Sequence, residues 1–329
     1  MTGQLPRVRF ADPRRIFSCV LAVCLALLSA PSAHSADWTR YRGPNGTGFS
    51  PLKGIPTTWS PGDYIFNVKL PGEGHGAAVI RGKLLFVTSA VDQGATRHLL
   101  CLDRKTGEEL WTKRFEPKLP EHKYAGEGSY HGYAASTPAT DGKHLYVFLG
   151  KSGVYCLDLD GKQLWHADVG GGTNRWGTGT SPLLYQGLVI VNASVESGSM
   201  VALDQKTGRE VWKTGGMSSS WNTPVITRSP GGTAELVVSI SGRVLGLDPG
   251  NGEKLWNADG VHRYVCPSVV AHKGVAYIIG GGNTSLAVKV GGRGDVTKSH
   301  GVWRLSKGSN VSSPIYHEGH LYWAHDSNG

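Results

Sequence analysis

A ten-residue phrase, Leu-Asp-x-x-Thr-Gly-x-x-x-Trp, recurs along the chain and limits what it can fold into. It runs from Leu102-Asp103 to Trp111 and returns at Leu157-Asp158 to Trp165, Leu203-Asp204 to Trp212 and Leu247-Asp248 to Trp256. A worn fifth copy runs from Ala287-Val288 through Gly294-Asp295 to Val302-Trp303. The five Trp follow one another at intervals of 54, 47, 44 and 47 residues, the period of a propeller or solenoid unit. A second phrase lies between the copies: Ser136-Thr137-Pro138, Thr180-Ser181-Pro182, Asn222-Thr223-Pro224, Cys266-Pro267-Ser268 and Ser312-Ser313-Pro314. After each comes a short apolar run, a Gly-bearing turn and another apolar run. Four short strands in about 45 residues make one blade of a β-propeller.

The strands of a blade are lettered A to D from the axis outward. Strand A is expected to begin at the Pro phrase, near Ala77, Ser136, Ser181, Thr223, Pro267 and Ser313. Strand B follows a hairpin turn such as Asp141-Gly142, C carries the Leu-Asp, and the Thr-Gly turn delivers D with its Trp. The expected fold is all-β: five complete four-stranded antiparallel blades, then A and B of a sixth at Val311–Ile315 and His320–Ala324. Tyr64–Leu70 reads as a leading D strand with Phe66 in place of Trp. That strand lacks its A–B–C partners, so the reading expects a C-terminally truncated propeller of seven or eight blades. Residues 36–63, rich in Gly, Pro and turn residues, form an irregular leader, and residues 64–329 the repeat domain.

Composition agrees with many short strands and tight turns: 47 Gly and only 18% charged residues. The formal charge of +9 contains no run of basic residues, and nucleic-acid binding is set aside. Residues 1–35 have the form of a signal peptide: Arg7, Arg9, Arg14 and Arg15, an apolar stretch from Ile16 to Leu28, and small residues around Ser35 and Ala36 for cleavage. The chain is therefore expected to be exported, periplasmic or extracellular, with no transmembrane segment in its mature part. Arg14-Arg15-Ile16-Phe17 half-matches a twin-arginine signal, and Cys24 leaves a lipoprotein anchor open. Cys101, Cys156 and Cys266 remain after cleavage and read as buried apolar fillers, because Cys101 and Cys156 hold the same slot a blade apart.

The repeated residues have structural readings. Trp111, Trp165, Trp212, Trp256 and Trp303 are expected to dock blade against blade, and the repeated Asp to cap the turn before Thr-Gly. His317-Glu318-Gly319-His320 spans an A–B hairpin, so it lacks the helical geometry of a zinc motif. Function is expected on the other face, where the B–C turns and the D-to-A links meet the channel mouth. The candidate ligand-binding residues just before each strand A are His75, Tyr130, His131, Arg175, Trp176, Trp221, Asn222, Arg263, Tyr264 and Asn310. The B–C turns add Asp92, Glu196, Asn283, His325 and Asp326, and the longest link, Phe115–Ala135, should lie over this face. Arginine forks hold carboxylates and aromatic rings stack on planar groups or sugars, so the ring suits a planar or polar ligand.

With Leu-Asp-x-x-Thr-Gly-x-x-x-Trp and the Ser-x-Pro inner strand in hand, the chain resembles the exported pyrroloquinoline-quinone-like (PQQ-like) β-propeller repeat family from about Asp37 to Gly329. The family includes quinoprotein alcohol dehydrogenases, which hold the quinone and Ca²⁺ over an active-site Asp, and non-enzymatic scaffolds similar to outer-membrane protein assembly factor B. This chain has no adjacent Cys pair, no C-x-x-C-H and no matched calcium ligands. The sequence thus points to a non-catalytic exported propeller that binds an envelope protein, a glycan or a small anionic ligand. The alternative is a PQQ- and calcium-dependent oxidoreductase with its remaining site residues in further C-terminal blades. No catalytic or metal-binding residue is assigned.

Overall fold

The fold is taken from a computed structural model, which describes residues 37–118, 120, 133–218 and 220–326. The signal-peptide reading of residues 1–35 and the candidates Tyr130 and His131 lie outside the described residues.

Blade I comprises β1 (Val79–Arg81), β2 (Leu84–Val91), β3 (Thr96–Asp103) and β4 (Glu109–Phe115). Blade II comprises β5 (Ala139–Thr140), β6 (His144–Phe148), β7 (Val154–Asp158) and β8 (Gln163–Ala167). Blade III holds β9 (Leu183–Tyr185), β10 (Leu188–Ala193), β11 (Ser199–Asp204) and β12 (Glu210–Gly215), and blade IV β13 (Val225–Arg228), β14 (Ala234–Ile240), β15 (Arg243–Leu247) and β16 (Lys254–Asp259). Blade V is β17 (Val270–His272), β18 (Val275–Gly280), β19 (Thr284–Lys289) and β21 (Gly301–Leu305), with a short β20 (Gly294–Asp295) between the last two. The hairpin β22 (Ile315–His317) and β23 (His320–Tyr322) follows as the start of blade VI. Each full blade is an antiparallel meander in chain order. The architecture is the β-propeller that the repeats imply.

Strand A starts two or three residues later than expected, because proline cannot donate to a ladder. The Pro phrase has another use. The N–H of Ala77 donates to Thr137 Oγ1, that of Thr137 to Ser181 Oγ, and that of Ser181 to Thr223 Oγ1. The N–H of Thr223 then donates to Ser268 Oγ, and that of Ser268 to Ser313 Oγ. The second phrase is thus a hydroxyl staircase that joins neighbouring blades near the axis, at 2.8–3.1 Å per step. Ala77 has no hydroxyl, so blade I can donate to its successor but cannot accept on this staircase from a blade before it.

The outer phrase makes the second joint. In each of the five full blades the C–D register shifts beside the Trp pair, as at Cys101/Leu102 and Ala202/Leu203, a bulge that twists the outer strand locally. The Trp111, Trp165 and Trp212 indoles donate to Leu159 O, Gln205 O and Pro249 O, all in the C–D turn of the next blade. Each ring lies against that turn's glycine: a Cβ on Gly161 would sit 3.0 Å from Trp111, on Gly208 2.6 Å from Trp165, and on Gly252 2.5 Å from Trp212. These glycines also hold left-handed φ values of 86°, 71° and 75°. The repeated Asp supplies the turn: Asp103 Oδ1 accepts from the N–H groups of Lys105 and Thr106, and Asp204 Oδ1 from those of Lys206 and Thr207.

Two elements differ from expectation. Tyr64–Leu70 is not a laddered strand: among the described residues no strand is hydrogen-bonded to it. Phe66 nevertheless lies against Gly107 as a Trp would, with a Cβ there only 2.6 Å from the ring. The fifth phrase has lost its Thr-Gly turn. In its place β20 pairs parallel with β16, Trp256 opposite Gly294, as a fifth strand of blade IV. Trp256 therefore has no turn to dock on. It lies over Gly246 of its own blade and donates to Glu235 Oε2 at 2.7 Å. Trp303 is half-buried and packs 6.2 Å from Tyr277.

The leader crosses the channel. Trp38 bridges Ile80 of β1, Thr140 of β5 donates to Thr39 O, and Asn45 donates to Ile226 O of β13. Arg42 donates to Ser313 O and Pro314 O before β22. Arg40, 8% exposed, donates to Pro224 O at 3.5 Å, and burial pushes its pKa down to about 10. One segment thus touches the inner strands of blades I, II, IV and VI.

Candidate functional site

Three consecutive D-to-A links converge on the channel mouth. The link from β8 to β9 brings Asn174, Arg175 and Trp176, that from β12 to β13 brings Trp221, and that from β16 to β17 brings His262, Arg263 and Tyr264. Together with Val265 they line a cleft of ≈ 320 Å³. Local chemistry sets each residue. Asn174 Oδ1 accepts the N–H of Trp176 at 3.0 Å, and Gly177 N donates to Asn174 O at 2.8 Å, a turn that lifts Trp176 out of the link. The Trp221 indole donates to Gly177 O at 2.9 Å and its N–H to Val265 O at 3.0 Å, so it spans all three links.

Trp176 is the centre of the aromatic group. Its ring stacks on Tyr264 at 5.3 Å and 24°, and tilts against Trp221 at 5.7 Å and 42°. The Arg175 guanidinium lies over the same ring, 5.7 Å from its centre. Tyr264 has φ 49°, a left-handed conformation that a bulky residue rarely takes. It is held there by the ring stack and by the bridge of Arg263 to Gly281, and such strain gathers at binding sites. Arg175 and Arg263 are exposed, and neither has a carboxylate partner among the described residues.

Five of the ten sequence candidates meet here: Arg175, Trp176, Trp221, Arg263 and Tyr264. Asn310 is at the margin, since its Oδ1 and the Tyr264 ring flank Gly281, each 2.7 Å from a Cβ built there. Asn222 departs from the expected ring. It is fully buried, donating to Ser239 O, Val265 O and Ser220 Oγ, so it braces the links from beneath. His75 lies in a separate cleft with Lys69 and Glu73 beside blade I. Of the B–C residues, Asp92 and Asn283 take left-handed turn positions, Glu196 is buried and accepts from Thr178, Asp326 accepts from Asn310 N, and His325 meets Asn283. Asn174 and His262 were missed. The signal for Asn174 was its place two residues before Trp176; nothing distinguished His262.

Among the described residues no group of three or more His, Cys, Asp or Glu is placed to hold a metal ion. The three thiols are separate: Cys101 and Cys156 are buried, Cys266 is partly exposed, and desolvation pushes each up to about 12. No helix among the described residues is long and apolar enough to cross a membrane.

Known proteins share this architecture. The profile of a family described as outer membrane protein assembly factor BamB matches residues 55–212 and 96–328. An outer membrane protein assembly factor BamB from Burkholderia pseudomallei is 28% identical over 236 residues, 68% of this chain. The chain spans about half of that relative, 52% of its length. The solved BamB of Moraxella catarrhalis superposes with a TM-score of 0.58 at 16% identity, over 78% of this chain and 71% of that one. The quinohemoprotein alcohol dehydrogenase of Comamonas testosteroni gives 0.56 at 15% identity, over 82% of this chain and 49% of that one. At such identities the two structures speak for the fold alone, while the profile covers most of the chain. The repeats, the blade joints and that match together place the chain in the PQQ-like propeller-repeat family described as outer membrane protein assembly factor BamB.

Proposed function

We propose that this protein is a non-catalytic, exported binding propeller of the cell envelope, and that the Arg175–Trp176–Trp221–Arg263–Tyr264 cleft holds an acidic, aromatic-bearing segment of a partner protein. One observation carries the reading: three aromatic rings in contact, Trp176 stacked on Tyr264 and tilted against Trp221, are rimmed by two exposed arginines without carboxylate partners among the described residues. Aromatic anchors and arginines are the residues that dominate protein interfaces, and unpaired guanidinium forks select carboxylates. The kinship with an outer membrane assembly factor supports a protein partner over a glycan or a free small anion. Apolar and cationic walls without an acid–base pair support binding over catalysis.

Titration with a short peptide carrying Tyr, Asp and Glu should be saturable, and a charge-reversed control should not bind. Arg175→Ala and Trp176→Ala should each weaken binding about tenfold or more without altering the unfolding midpoint. Preference for a neutral glycan over the peptide would overturn the reading. Calcium-dependent uptake of PQQ in equilibrium dialysis would do so as well, and would favour the oxidoreductase.

A further inference from the structure

The repeats serve as an internal comparison, and three departures from them coincide at the junction of blades IV and V. First, Glu235 holds a strand-B position occupied by Leu84, Leu188 and Val275 in blades I, III and V and by His144 in blade II. Second, Gly246 stands opposite Trp256, where the other copies place Cys101, Cys156, Ala202 and Ala287 opposite their Trp. Third, residues 290–300 replace the Thr-Gly turn. Each change depends on the others: any Cβ at position 246 would fall 2.1 Å from the Trp256 ring, and only the inward ring reaches Glu235.

Two of these departures, Glu235 and residues 290–300, border a cleft of ≈ 670 Å³ on the face opposite the aromatic site. Glu235, 0% exposed, closes its floor. One carboxylate oxygen accepts from Trp256 Nε1 and from the N–H of Gly291, while Oε1 has no hydrogen-bond partner. Lys273, Lys289, Arg293 and His300 line the walls, and none of them pairs with a carboxylate among the described residues. A buried acceptor without a donor is rare and points to a missing partner, and basic side chains lining one cleft without carboxylate partners point to an anion.

We propose that this cleft binds a phosphate monoester that also carries a hydroxyl or ammonium group, such as a phosphorylated amino sugar. The phosphate meets Lys273, Lys289, Arg293 and His300. The donor group reaches Glu235 Oε1 through a small shift of the floor. Lysine and arginine suit a phosphate dianion as point charge and fork, and the carboxylate confers selectivity for a ligand bearing a donor. The ligand's source is either a free sugar phosphate or a lipid headgroup.

Calorimetric titration of the full chain with glucosamine 6-phosphate and with inorganic phosphate tests this. The sugar phosphate should bind more tightly, and Lys289→Ala and Arg293→Ala should each weaken it about tenfold. Glu235→Gln keeps an acceptor for Trp256 while turning an amide donor toward the cleft. It should remove the preference for the sugar phosphate and leave inorganic phosphate bound at least as well. Arg175→Ala, on the opposite face, should change neither affinity, so the two sites fail or stand separately. Co-flotation with vesicles carrying lipid A, whose headgroup is a phosphorylated amino sugar with a phosphate monoester, abolished by Arg293→Ala, would assign the lipid source, and its absence alongside sugar-phosphate binding the free one. No saturation at roughly millimolar ligand, or binding indifferent to Lys289→Ala and Arg293→Ala, would overturn the proposal.

Discussion

At the scale of single residues, small polar groups join the blades as well as the conspicuous aromatic ones. Each staircase hydroxyl accepts a buried N–H from the preceding blade, and removing it leaves that donor without a partner. Ser181→Ala and Thr223→Val should each cost about 1–3 kcal/mol of unfolding free energy, read by urea denaturation. Trp212→Ala empties a large buried site and should cost about 3–5 kcal/mol; a loss under about 1 kcal/mol would refute its docking role. The turn aspartates have a pH signature. Backbone donors, with the N–H of Thr106 first, lower the Asp103 pKa, and the Thr207 hydroxyl and N–H lower that of Asp204. A folded-state pKa below the unfolded value of about 4 contributes stability at neutral pH that is lost as pH falls through the folded value. Stability should therefore hold from pH 7 to about 5 and decline below about 4, and Asp204→Asn should flatten that decline. The aspartate role was legible in sequence because Thr-Gly follows at fixed distance. The staircase was not, because its partners lie 42–60 residues apart.

At the scale of elements, the joint between blades is a turn glycine against the preceding Trp. Gly208→Ala puts a side chain at φ 71° and against the Trp165 ring, and should destabilise by about 1–3 kcal/mol from backbone strain alone, with the steric clash in addition. The added part should shrink in a Trp165→Ala background, and a double-mutant cycle without coupling would refute the contact. The fifth repeat shows what happens without such a turn. β20 takes the open edge of β16, and Leu255 becomes buried at 6% exposure where its counterpart Val211 stays at 51%. Four of the repeats were readable because the phrase encodes a local turn. The excursion at residues 290–300 was not, because its pairing partner belongs to the preceding repeat.

At the scale of the whole molecule, the leader joins blades that are distant in sequence. Arg42→Ala removes charged donors to Ser313 O and Pro314 O and should cost about 1.5–3 kcal/mol. Amide exchange should speed up first in β22 and β23, and uniform acceleration across all blades would refute a local tie. The sequence by itself determined the blade, its period, its four strands and the face on which links such as Arg175-Trp176 emerge. All of these follow from short-range turn chemistry and hydrophobic alternation repeated at a fixed period. Only the tertiary structure decided that Trp176 stacks on Tyr264 and tilts against Trp221, that Asn222 turns inward, that the leader ties separate blades together and that Glu235 lies beneath a basic cleft. Those outcomes depend on which repeats become neighbours and how the ring brings their ends together, and no local pattern carries that distance information.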